Sequence, residues 1–113
     1  MMTFVVLATV AASSVAAEAD YTKMWCAAQN GRVEVMLEDR TRADCITATH
    51  AVEVDFAPKW AEAIGQALHY ARLTGKRAGI LLIVGADEAH LLARLRATIA
   101  GACLPIDVWT VPR

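Results

Sequence analysis

Asp44, Glu53, Asp55 and Lys59 are the residues of this chain whose types and spacing could do chemistry. In an extended strand, residues two apart face the same side. Glu53 and Asp55 therefore project together from "AVEVDF", while Val52, Val54 and Phe56 face the other way. Asp44 belongs to a preceding strand that a tight turn lays alongside. Grouped carboxylates repel one another unless a proton or a cation intervenes, and all-oxygen ligand sets suit Mg²⁺. The expected chemistry is thus divalent-cation binding, with Lys59 reaching back from the first turn of the next helix. An ammonium there would stabilise charge on a phosphate or orient an attacking water. Gln66 and Tyr70 follow Lys59 at helical spacing and share its face.

The elements that must position these residues follow from pattern and punctuation. Tyr21 to Gln29 reads as a short helix, with Asp20 as its N-cap and Asn30-Gly31 as its end. "RVEVMLEDRTRADCIT" alternates around a polar centre and reads as a hairpin, with Val33, Val35 and Leu37 on one face. "AVEVDF" is the third strand. Pro58 suits a first helical turn, where its missing N–H costs nothing. The helix it opens runs to Thr74, ends at Gly75, and carries Trp60, Ile64, Ala67, Leu68 and Ala71 as its core stripe. "AGILLIV" is continuously apolar, as a central strand covered on both faces requires. A further helix follows, capped by Asp87 and ended by Gly101, with Leu91, Leu92, Leu95 and Ile99 inward; "PIDVWTV" is the last strand. The order α-β-β-β-α-β-α-β predicts an α/β sandwich around one mixed sheet.

That order, with Asp44, then Glu53 and Asp55, then "QALHY", resembles the PD-(D/E)xK nuclease superfamily, which has the restriction-endonuclease-like fold. The Gln66-x-x-x-Tyr70 element is similar to that of RecB-type nuclease domains. The segment "DCIT…HAVEVDFAPKWAEAIGQALHYA…TGKRAGILLI" also looks like a group of small bacterial proteins in that superfamily, and the resemblance spans about residues 21 to 111. It implies an αβββαβ core plus a further helix and strand, and Mg²⁺- or Mn²⁺-dependent hydrolysis of nucleic-acid phosphodiesters. Asp44 and Glu53 would be metal ligands, while Gln66 and Tyr70 would support the site or contact the nucleic-acid backbone. One departure is plain: the lysine that the motif places two residues after the Glu is Asp55 here. Either Lys59 has taken over the lysine's role with Asp55 as an extra ligand, or catalysis has lapsed. An inactive domain with a binding or structural role is the alternative function.

Residue by residue, plainer readings stand beside these. Asp44 and Glu53 are each unremarkable as solvent-facing strand acids, Asp55 as a strand terminator, and Lys59 as a first-turn lysine. His50, His69 and His90 have no ligand spacing and read as surface or structural. The chain has no Gly-rich phosphate loop and no nucleophile motif of the GxSxG kind.

Bulk properties narrow the setting. With 113 residues there is room for one domain. The formal net charge of −1 argues against tight electrostatic binding to duplex nucleic acid. Residues 1 to 17 are uncharged, apolar at Phe4 to Val10, and small before Glu18, which predicts a secretory signal with a mature domain over 18 to 113. Ser14/Ala16 and Val15/Ala17 both satisfy the cleavage rule. The segment lacks a basic start, and a buried N-terminal element is the other reading. The run is too interrupted for a membrane span, so a periplasmic or secreted protein without stable membrane insertion is expected. Of the three cysteines, Cys26 and Cys45 are the preferred pair in an oxidising compartment, closing a loop of about 20 residues worth about 3 kcal/mol. Three buried thiols acting as small hydrophobes are the alternative.

Overall fold

The structure, a computed structural model, describes the backbone from residue 10 and the side chains from residue 18. The first nine residues of the expected signal segment, including most of its apolar heart, lie outside the described residues. The elements are helix α1 (Val10–Ala28), strands β1 (Arg32–Met36), β2 (Arg42–Ile46) and β3 (His50–Phe56), and helix α2 (Trp60–Thr74). Strand β4 (Arg77–Val84), helix α3 (Ala89–Gly101) and strand β5 (Ile106–Pro112) complete the chain.

The strands form one sheet in the order β1-β2-β3-β4-β5. The first three are an antiparallel meander, while β3, β4 and β5 run parallel. This is an α/β fold with the αβββαβ order of the restriction-endonuclease-like core, extended by α3 and β5. Parallel neighbours need a crossover, and helices supply it: α2 joins β3 to β4, and α3 joins β4 to β5.

Burial explains why β4 reads as an unbroken apolar run. Ile80 and Leu82 point into the layer made with α2 and α3, beside Ala63, Ala67 and Leu95. Leu81 and Ile83 point the opposite way, into the layer made with α1, beside Cys26, Val52 and Val54. A strand sandwiched like this has no polar side to show. The stripe expected for α2 packs as read, with Trp60, Ile64, Leu68 and Ala71 against that first layer.

Helix α1 differs from expectation at its start. It begins by Val10 rather than near Tyr21, so Asp20 lies inside the helix and caps nothing. The apolar and small residues before Glu18 are themselves good helix formers, so nothing local stops the helix there. At its other end, Asn30 adopts φ 56°, and the chain turns into β1 as the Asn-Gly pair suggested. Pro58 lies in a 3₁₀ turn, Ala57–Lys59, that leads into α2, and Gly75 closes that helix at φ 70°. The cap position of α3 is held by Glu88, not Asp87. The Glu88 carboxylate turns back to accept the Gly85 N–H at 2.8 Å, which folds the loop ahead of the helix.

Gly79 on β4 is a packing requirement. A Cβ there would lie 2.7 Å from Trp109 Cζ3 and 3.3 Å from Val52 Cγ2. Trp109 cannot retreat, because it is wedged between Trp25, 5.3 Å away by ring centroids, and His50, 4.9 Å away. Gly79→Ala is therefore expected to destabilise the fold by about 1–3 kcal/mol, the usual range for overpacking. Urea unfolding measures it, and an unchanged midpoint would show that the tryptophan layer yields.

Candidate functional site

Each carboxylate is placed by a local feature of the strand that carries it. Glu53 and Asp55 pair in register with Ile80 and Leu82, which fixes both on the α2 side of the sheet. They are 4% and 7% exposed, so they are not the solvent-facing acids of an ordinary strand. Asp44 arrives through a break in the ladder. The β2–β3 register is regular at Ile46↔Ala51 and Cys45↔Val52, and then it stops. The next pair would set Asp44 against Glu53, and like charges opposite each other destabilise a sheet. Instead, the Asp44 carboxylate enters the gap and accepts the Val54 N–H at 2.7 Å, replacing a ladder bond. On the other side of β2, Glu34 is held at φ 55°, between the regular pairs Val33↔Cys45 and Val35↔Ala43. The backbone is thus irregular on both flanks of Asp44.

The result is a contiguous acid group. Glu53 is in side-chain hydrogen-bond contact with both Asp44 and Asp55. With its amide nitrogen turned toward Glu53, Gln66 donates to both carboxyl oxygens, to Oε1 at 3.1 Å. Burial is the chief force on Glu53, and together with its two acidic neighbours it pushes the carboxyl up to about 11. Burial also raises Asp44 and Asp55, although the hydrogen bond from Glu53 pulls each of them back. Glu53 is therefore the protonated member at neutral pH. A neutral carboxyl has one O–H to give, yet Glu53 meets two carboxylates. A single proton cannot be given to both at once.

Tyr70 lies behind this group, buried against Ala43, Ile46 and Ala51. Burial, followed by the charges of Glu53, Asp44 and Asp55, pushes its hydroxyl up to about 12, so it is a neutral donor or acceptor there. Lys59 is exposed at the end of the 3₁₀ turn. Its charge lowers Asp55 and Glu18, but among the described residues it closes no ion pair. Asp44 and Lys59 line a cleft of about 530 Å³ between α1 and β1, together with Glu18, Lys23, Glu34 and Phe56. Glu53, Asp55 and Gln66 do not line it; they stand behind Asp44. Asp44 is thus the member that faces both the cleft and the buried acids.

The structure therefore brings Asp44, Glu53, Asp55 and Gln66 together, seats Tyr70 behind them, and leaves Lys59 on the rim. Glu18 and Glu34 also reach this cleft, and sequence reasoning missed both. Glu18 raises no flag because it follows a segment read as a signal, and Glu34 because its side depends on a left-handed residue inside a strand. Cys26 and Cys45 form a disulfide, with Cα atoms 5.9 Å apart, that ties α1 to the residue next to Asp44. Cys103 is a free, exposed thiol.

Among the described residues, no three His, Cys, Asp or Glu side chains stand in a preformed metal cage. The carboxyls occupy one another's hydrogen-bonding positions instead. The donor set itself, three carboxyls and no softer ligand, is the chemistry a hard divalent cation takes. Comparison with family models, with curated proteins and with solved structures gives no match to this chain.

Proposed function

We propose that this chain is a small metal-dependent phosphodiesterase of the PD-(D/E)xK type, with nucleic acid as its substrate class. The observation that carries the reading is the contact of the buried Glu53 carboxyl with both the buried Asp55 and the half-buried Asp44, for which one proton is too few. Asp44, Glu53 and Asp55 would hold the cation. When bound, Mg²⁺ or Mn²⁺ supplies a Lewis acid and lowers the pKa of water. Gln66 orients Glu53 by donating to its carboxyl oxygens, and Tyr70 packs behind the cluster. Lys59, which among the described residues closes no ion pair on the cleft rim, supplies the positive charge that a phosphate would meet. The Cys26–Cys45 disulfide supports an oxidising compartment, periplasmic or extracellular. Among the described residues, no helix is long and apolar enough to cross a membrane.

A second reading, an inactive exported domain with a binding or structural role, is favoured by two specific observations. Asp55 occupies the motif's lysine position, and the three carboxyls close on one another rather than around a vacancy.

One experiment separates the two. The mature protein is incubated with single- and double-stranded DNA and RNA, with Mn²⁺ or with chelator, beside Asp44→Ala and Lys59→Ala. The enzyme reading expects Mn²⁺-dependent cleavage that falls on the order of 100-fold in each variant. Inert wild-type protein, or variants that cleave as well as wild type, would discard it.

A further inference from the structure

A second group of reactive side chains lies at the opposite end of β3, about 16 Å along the strand from Asp55. His50 opens β3, and its Nε2 lies 2.7 Å from Asp107 Oδ2 on β5. Its Nδ1 lies 2.7 Å from the Thr49 hydroxyl. The contact with Asp107 spans the whole width of β4, and it can do so because Gly79 presents no side chain in the path. Trp109 packs edge-on against the imidazole, and only 14% of the His50 side chain is exposed.

The direction of the protons follows from the partners. Arg77 donates to Asp107 from Nη2 at 2.9 Å and from Nε at 3.1 Å, which fixes the carboxylate and keeps it ionised. An ionised carboxylate can only accept, so His50 Nε2 carries the proton. In the neutral ring Nδ1 is then a bare acceptor, and Thr49 Oγ1–H must donate to it. The Thr49 backbone is held as well. Its carbonyl accepts the Arg77 N–H at 3.0 Å, its own N–H donates to Thr47 Oγ1 at 3.2 Å, and Lys76 Nζ bonds the Ala48 carbonyl at 3.0 Å. An exposed hydroxyl, an imidazole that can take its proton and a carboxylate that orients the imidazole form the arrangement that makes an alcohol nucleophilic.

We propose that Thr49 is a nucleophilic hydroxyl, activated by His50 and Asp107, that accepts acyl groups from carboxylic esters. In the step, a lone pair of Thr49 Oγ1 attacks the ester carbonyl carbon while its proton passes to His50 Nδ1. Asp107 stabilises the resulting imidazolium. The tetrahedral adduct collapses, the bond to the leaving oxygen breaks, and that oxygen takes the proton from His50. The products are the alcohol and an acyl ester on Thr49. This centre shares no residue with the acid cluster and does not depend on the reading proposed for it.

The test treats the full chain with p-nitrophenyl acetate near neutral pH and locates acetyl groups by peptide mass spectrometry. Acetylation of Thr49 is expected on the order of 100-fold faster than that of Thr41 or Thr47. Thr49→Val should remove the mark, and Thr49→Ser should keep it. His50→Gln and Asp107→Asn should each slow it at least tenfold, with thermal melts showing which variants remain folded. Labelling of Thr49 no faster than of the other threonines would overturn the proposal. So would labelling that persists unchanged in either folded variant.

Discussion

Glu53→Gln is expected to make the metal-free protein more stable at mildly alkaline pH, by about 2–4 kcal/mol. The sign follows from proton linkage. In the unfolded chain Glu53 titrates at its ordinary value of 4.5, and in the fold it is pushed up to about 11. Across that window the folded state holds a proton that the unfolded state has released. Stability from this group is therefore full below 4.5 and is lost as pH rises toward the folded value. The loss is at most about 1.4 kcal/mol per pH unit for one proton. Burial also raises Asp44 and Asp55, which adds to the loss rather than opposing it. A glutamine amide needs no proton to fill the same space, and its two N–H groups can serve both aspartates at once. Denaturant titrations in chelator, from about pH 5 to about pH 8, measure the effect. Wild-type stability should fall over that range, and the variant should fall less steeply, keeping only the contribution of Asp44 and Asp55. A wild-type curve that stays level or rises would show that the acids ionise freely, and the contact model of the site would be wrong. The same substitution removes a cation ligand, so under the nuclease reading it gains stability and loses activity together.

Replacing both Cys26 and Cys45 with serine is expected to cost about 3 kcal/mol, the chain-entropy value for a loop of about 20 residues. For a domain this small, that is a large share of the total. The effect also extends beyond stability. Cys26 lies near the end of α1, Cys45 adjoins Asp44, and both sulfurs are fully buried against Val52 and Val54. The bridge holds α1 down on the end of the sheet where the ladder opens. Gly31 fits closely against it, since a Cβ there would lie 2.7 Å from Cys26 Sγ and 2.9 Å from Cys45 Sγ. Thermal unfolding of the double serine variant beside the oxidised wild type gives the magnitude. A loss well under 1 kcal/mol would show that packing alone holds α1 in place. Reduction of the wild type should lose the same cross-link but cost no more than the variant, because buried thiols are less polar than buried serine hydroxyls.

Much of this architecture is legible in the sequence because it rests on short-range periodicity. The alternation in "AVEVDF", the unbroken apolar run of β4 and the spacing of Trp60, Ile64, Leu68 and Ala71 each report a face directly. Gly75 ends α2 because a left-handed residue is needed there, and the sequence shows that need locally. The start of α1 is not legible in the same way. Small and apolar residues before Glu18 serve a signal segment and a helix equally well, and no local residue separates the two.

The candidate site divides along the same line. That Glu53 and Asp55 share a side follows from the two-residue strand period alone, and the shared face of Gln66 and Tyr70 follows from their four-residue spacing on a helix. Their burial does not follow from it. Whether an acid in a strand meets water or another acid depends on what the opposite layer provides, and here α2 covers them. The position of Asp44 between β2 and β3, the left-handed Glu34 beside it and the arrival of Glu18 from α1 are likewise products of packing. So is the pairing of His50 with Asp107, residues far apart in the chain that meet only because β4 lies between their strands and Gly79 leaves room. Local periodicity and turn residues set which faces exist and in what order the elements come. The tertiary structure alone decided which charges lose their water, because desolvation depends on every layer that closes over a residue and not on its neighbours in the chain.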